Sequence, residues 1–151
     1  MNARRMIAAS LLAAAIPSAA FSAGDSDTES EQETFVLSAY DQGRAEAEEG
    51  NWSQAATLFR QAVADDGDDF KALNMLGYSL RQGGDLPGAM KAYDRALGIN
   101  PDYAEALEYR GIARLKMGNR RGALADYQKL VRLGSPLAAD LKEAIDSGAK
   151  N

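Results

Sequence analysis

The sequence predicts an all-α chain built from stacked helical hairpins, and three observations carry the prediction. A 34-residue period runs through the middle of the chain without a gap. A glycine and a good capping residue recur side by side once in every period. Ala, Leu, Glu, Lys and Arg are plentiful and β-branched residues are few, which favours helix over strand.

The first 23 residues read as an address rather than as part of the fold. Arg4 and Arg5 precede an apolar run from Met6 to Ile16, which Pro17 and Ser18 break, and small residues follow to Ala23. This is the three-part layout of a secretory signal peptide. Small residues at the recognised positions place cleavage after Ala20 or after Ser22; cleavage after Ala23 would put bulky Phe21 where a small residue is needed. The competing reading is an uncleaved inner-membrane anchor, but the apolar run is shorter than the roughly 20 residues that span a bilayer. No Cys follows the run, which excludes a bacterial lipoprotein, and the Arg pair lacks the context of a twin-arginine signal. The expected destination is the periplasm or the exterior of a bacterium, reached by general secretion.

Residues 24–35 then read as an acidic, disordered linker. Asp25 to Glu33 holds five acids, no base and no apolar residue. Such a stretch cannot bury enough surface to offset the entropy of ordering it.

The repeats occupy 36–69, 70–103 and 104–137. Four columns align in all three: Gly43, Gly77 and Gly111; Gly50, Gly84 and Gly118; Ala55, Ala89 and Ala123; and the aromatics Phe59, Tyr93 and Tyr127. The second glycine column suits a left-handed residue at a helix C-terminus. Asn51, Asp85 and Asn119 come next and are good N-caps. Each repeat therefore reads helix, tight turn, helix, with helices over 36–49, 52–65, 70–83, 86–98, 103–117 and 120–132. Gly43, Gly77 and Gly111 are expected to face Ala55, Ala89 and Ala123, small residue against small residue. The aromatic lies on the same face as the alanine four residues earlier, and plugs each hairpin.

Asn100-Pro101 and Ser135-Pro136 read as an N-cap followed by proline at the first helical position. The second pair opens a last helix over 136–147, within a terminal segment 138–151. Leu137, Leu141, Ala144 and Ile145 give it an apolar stripe. Ile145 stands where the earlier first helices carry glycine, so this helix is expected to cap the array.

The middle repeat runs Leu73-x2-Leu76-Gly77-x2-Leu80, Ala89-x3-Tyr93-x2-Ala96, then Pro101. It resembles the tetratricopeptide repeat at nearly every signature position, with Leu73 in place of Trp. The outer repeats depart from it: Gln42 and Glu46, and then Arg110 and Arg114, occupy places where large apolar residues are usual. The resemblance implies a right-handed superhelical solenoid of three repeats and a capping helix. It further implies that the first helices line a concave groove for a peptide or helix of a partner protein. The residues off the core columns are then the groove candidates: Tyr40, Arg44 and Glu48; Lys71, Asn74, Tyr78 and Arg81; Glu105, Glu108, Tyr109 and Ile112. Some members of the family grip a chaperone's terminal carboxylate with Lys, Asn and Arg. The matching places here hold Tyr40, Arg44, Met75, Glu105 and Tyr109, so that clamp is absent.

Composition narrows the chemistry. The chain has no Cys and no His, which removes disulfides, thiolate nucleophiles, imidazole acid–base chemistry and Cys/His metal sites. A formal net charge of −5 argues against nucleic acid as a partner. Asp65-Asp66-Gly67-Asp68-Asp69 lacks the alternating ligands and distal Glu of a calcium loop, and reads as helix-end chemistry. The expectation is a non-enzymatic adaptor, scaffold or assembly factor that needs no cofactor or metal and has no stable membrane insertion once the signal is cleaved. Self-association of so short an array is the alternative, and a small carboxylate-based enzyme a more distant one.

Overall fold

The computed structural model describes residues 37–148; the signal, the whole acidic linker, Val36 and the last three residues lie outside them. Among the described residues there are seven helices and no strand: α1 (Ala39–Glu48), α2 (Trp52–Asp65), α3 (Phe70–Gln82), α4 (Leu86–Ile99), α5 (Ala104–Lys116), α6 (Arg120–Arg132) and α7 (Leu137–Ser147). Each helix packs on the next through α6, and α7 lies against both α5 and α6. The result is a solenoid of helical hairpins closed by a final helix.

The hairpin turns follow from the glycines. Gly50, Gly84 and Gly118 have φ of 80°, 91° and 76°. In that region an L side chain presses its Cβ on the backbone, at a cost of about 1–2 kcal/mol. The residue after each glycine donates its N–H five positions back, Asn51 to Glu46, Asp85 to Leu80 and Asn119 to Arg114, satisfying carbonyls that the helix end leaves open. Gly134 (φ 65°) ends α6 in the same way before α7.

Capping of the second helices differs by repeat. Asp85 accepts from the Gly88 N–H at 2.9 Å and Asn119 from the Gly122 N–H at 2.8 Å. Asn51 makes no such bond, because its amide is drawn away to Glu46 and Glu49. Asp85→Ala should therefore lower stability by about 1 kcal/mol, and Asn51→Ala by less, when both are unfolded in urea. At α5 the expected proline start is not used. Asn100 is the C-cap of α4 and accepts from the Asp102 N–H, so Pro101 lies in the turn and the helix begins after Tyr103 without a side-chain cap. Asp69, the last of the acidic run, caps α3 by accepting from Lys71 and Ala72.

Packing adds a contact to the register expected within the hairpins. The nearest neighbours of Gly43 and Gly77 come from the aromatic column. A Cβ at Gly43 would lie 3.0 Å from the Phe59 ring, and one at Gly77 would lie 2.6 Å from the Tyr93 ring. The two helices of a hairpin run antiparallel about the glycine turn, so the separation of facing residues shrinks towards the turn; Gly43 meets Phe59, and Gly77 meets Tyr93, sixteen positions on. Ala55 lies nearer the turn, where it shares a core cluster with Ala47. In the third hairpin the place above Gly111 is filled from α7: a Cβ there would lie 2.6 Å from Leu141. Tyr127 is left half-buried at the edge of the core, so only the first two aromatics plug their hairpins fully. Leu141 and Ile145 are buried, which is how α7 closes the apolar end of the array.

The polar residues of the third repeat are resolved by charge. Arg110 and Arg114 on α5 converge on Asp126 of α6, at 2.7 and 2.6 Å, and Arg110 also reaches Asp94 of α4 at 2.7 Å. Arg114 donates in addition to the Gly122 carbonyl. Asp126 is 2% exposed, so a buried ion cluster replaces the apolar contact that these positions usually make.

Candidate functional site

The first helices stand side by side, α1 beside α3 and α3 beside α5. They enclose a cleft of about 340 Å³ lined by Arg44, Ala47 and Glu48 of α1, Met75 and Tyr78 of α3, and Tyr109 of α5. Small Ala47 leaves room in one wall, and the two tyrosines supply flat apolar surface with polar tips.

The rings are held in place from below. Tyr78 and Tyr109 lie 5.1 Å apart, tilted by 47°. The Arg81 guanidinium sits over both, 5.1 Å from one centroid and 5.7 Å from the other. Trp52 meets Tyr78 edge-on at 5.8 Å, so it braces the site from the second helix of its hairpin. Arg81 is buried, and the Arg81 Nε and Tyr93 hydroxyl each lack a hydrogen-bond partner among the described residues. Its charge is stabilised by ring faces rather than by a carboxylate.

The candidates named from sequence fall into three groups. Arg44, Lys71 and Glu105 are exposed on the groove helices, and Arg44 pairs with Glu48 at 3.4 Å. Tyr40, Tyr78, Glu108 and Tyr109 are half-buried. Tyr40 packs edge-on against Phe59, and burial raises its pKa. Asn74 and Arg81 do not face a guest freely, as had been expected of them. Both are buried by packing: Asn74 lies near the Tyr103 side chain, and Arg81 lies under the tyrosines. Ile112 packs against the main core. Sequence reasoning passed over Ala47, which only the pairing of α1 with α3 places in the cleft wall, and Asp140, which comes from α7.

Asp140 matters for the electrostatics. Burial raises the Glu108 pKa, and Asp140 and Glu105 push it further up while Arg81 pulls it down. Tyr109 is raised by burial and then by Glu108, and Tyr103 is pushed up to about 12 by burial and then by Glu105. The α5 side of the groove is therefore a negative field with no ion pair to Glu105, Glu108 or Asp140 among the described residues.

Comparison with known proteins defines the class. Two tetratricopeptide-repeat family profiles match the chain, one over residues 40–104 and one over 105–133. The chain belongs to the tetratricopeptide-repeat family. It is 33% identical to Protein FlbA of Caulobacter vibrioides over 85 residues, 56% of this chain and 14% of that protein. The chain spans less than half the length of the curated relatives it matches. Among solved structures, the first repeat domain of Spaghetti (RPAP3), bound to an HSP90 peptide, superposes with a TM-score of 0.68 at 16% identity, over 75% of this chain and 91% of that one. PcrH in complex with the chaperone-binding region of PopD superposes at 0.67 and 18% identity, over 74% and 89%. At these identities the likeness is one of fold.

Proposed function

We propose that this chain is a non-enzymatic protein-interaction module of the bacterial cell envelope: three tetratricopeptide repeats and a capping helix that hold a segment of a partner protein in the concave groove. The observation that carries the reading is the cleft between α1, α3 and α5, whose tyrosines are already fixed in position. Rigid aromatic surface in a concavity binds at little entropic cost, since few rotamers remain to be frozen. A fold-mate bound to a peptide, the HSP90-peptide complex, supports a peptide-binding use of this fold. The envelope address rests on the signal-like residues 1–23.

Site-specific photo-crosslinking in the intact cell tests it. A photoreactive side chain at Arg44, Met75, Tyr78 or Tyr109 should give a discrete partner adduct in the periplasmic fraction. The same group at Thr57, Lys91 or Gln128, exposed on the second helices, should not. Adducts confined to the second-helix positions would reject the groove, and a cytoplasmic chain with its first residues intact would reject the address.

A further inference from the structure

We infer that the groove selects a guest segment in which a large apolar side chain is followed closely by a lysine or arginine. The apolar side chain seats in the cleft formed by Ala47, Met75, Tyr78 and Tyr109, and the cation meets Glu105, Glu108 and Asp140. This rests on the groove reading above and deepens it by naming the chemistry of the guest.

The apolar half follows from the cleft. Its rings cannot turn away, because Arg81 lies over both and Trp52 braces one of them. Met75, which lines the same cleft, is unbranched and adapts to the shape that arrives. The charged half follows from which ions are already matched. On the α1 wall Arg44 and Glu48 neutralise each other. Arg81 faces the acidic side, but it is 8% exposed and held against aromatic faces. Lys71 stands on α3, exposed and outside the cleft lining. Glu105 and Glu108 on α5 and Asp140 on α7 have no cation within ion-pair distance among the described residues, and their mutual repulsion together with burial raises the Glu108 pKa. A guest cation relieves that repulsion; a guest carboxylate adds to it and is rejected.

The spacing is set by the helix. Tyr109 and Glu105 are one turn apart on α5, an axial separation of about 6 Å. An extended guest advances about 3.3 Å per residue, so the cation falls one or two residues from the apolar anchor.

Selection from a phage-displayed library of random nonapeptides against the purified chain tests this. The expected outcome is a consensus with an aromatic or large aliphatic residue and a Lys or Arg within two positions of it. Synthetic peptides carrying Lys at that place should bind at least tenfold tighter than those carrying Glu. In the Glu105→Gln, Glu108→Gln variant, whose changes lie outside the core, that preference should fall below threefold while the apolar preference persists. An acidic or charge-neutral consensus that is still lost on Tyr78→Ala or Met75→Glu would overturn the inference and leave the groove reading standing. Binders indifferent to Tyr78→Ala and Met75→Glu, or no binders at all, would overturn both. Circular dichroism of each variant separates lost binding from lost fold.

Discussion

Asp126→Ala should destabilise the fold by about 3–5 kcal/mol, the range seen when one member of a buried ion pair is deleted. The Asp126 carboxylate lies between two guanidinium groups and is 3% exposed. Its removal leaves Arg114 with only the Gly122 carbonyl, and leaves Arg110 with the more exposed Asp94 alone. The two positive charges then face each other across a half-dry interface. Replacing the whole cluster is a different experiment. Asp126→Leu combined with Arg110→Met and Arg114→Leu removes the buried charges together and leaves unpaired only Asp94, which is half exposed, so it should cost far less than the single change or even stabilise. Urea unfolding followed by circular dichroism gives both numbers. A single variant within 1 kcal/mol of wild type would show that these ions are solvated rather than buried.

Tyr93→Ala should cost about 3–5 kcal/mol, as expected for a large-to-small change at a fully buried aromatic. Tyr93 is 0% exposed, and its ring fills the space that Gly77 leaves open. The hydroxyl contributes little to this. It is buried with no partner in good hydrogen-bond geometry among the described residues; burial raises its pKa, and the nearby Arg81 guanidinium draws it only part of the way back. Tyr93→Phe, which removes an unsatisfied polar group, should therefore be neutral or slightly stabilising. Gly77→Ala places a methyl group 2.6 Å from the ring, so it should destabilise the wild-type chain. It should do so much less in a Tyr93→Ala background, where the methyl group enters a cavity. Additive effects of Gly77→Ala and Tyr93→Ala would mean that the two residues do not meet.

Much of the architecture was legible because it depends on short-range rules. The left-handed turns at Gly50, Gly84 and Gly118 need only a residue without a Cβ, and a good N-cap after each of them marks the reversal of the chain. Of the seven helices among the described residues, all end and six start within a residue of the stretches expected from capping and periodicity, and α1 starts three residues late, at Ala39. That Asn100-Pro101 does not open α5 has a local cause as well. Asn100 closes α4 and forms its own turn with Asp102, a competing use of the same side chain.

The groove was legible only in outline. The choice of first-helix residues off the core columns named Arg44, Tyr78 and Tyr109, which line the cleft. It also named Asn74 and Arg81, which packing buries. Position along one helix gives the direction of a side chain, not the depth of the neighbours around it. Arg81 looked available because arginine is ordinarily solvated, and only the approach of α5 brings Tyr109 to its other side.

What the sequence by itself determined is therefore whatever depends on residues a few positions apart: helix lengths, the hairpin turns, the 34-residue beat and the apolar faces. What only the tertiary structure decided is what depends on residues meeting across helices. That includes the sixteen-residue register that sets Gly77 against Tyr93, the substitution of Leu141 for an aromatic above Gly111, and the conversion of two misplaced arginines into an ion cluster around Asp126. The reason is physical. Backbone hydrogen bonds close within a turn and leave a local mark, whereas packing and charge neutralisation depend on distances of a few ångströms between segments whose spacing along the chain carries no direct record of them.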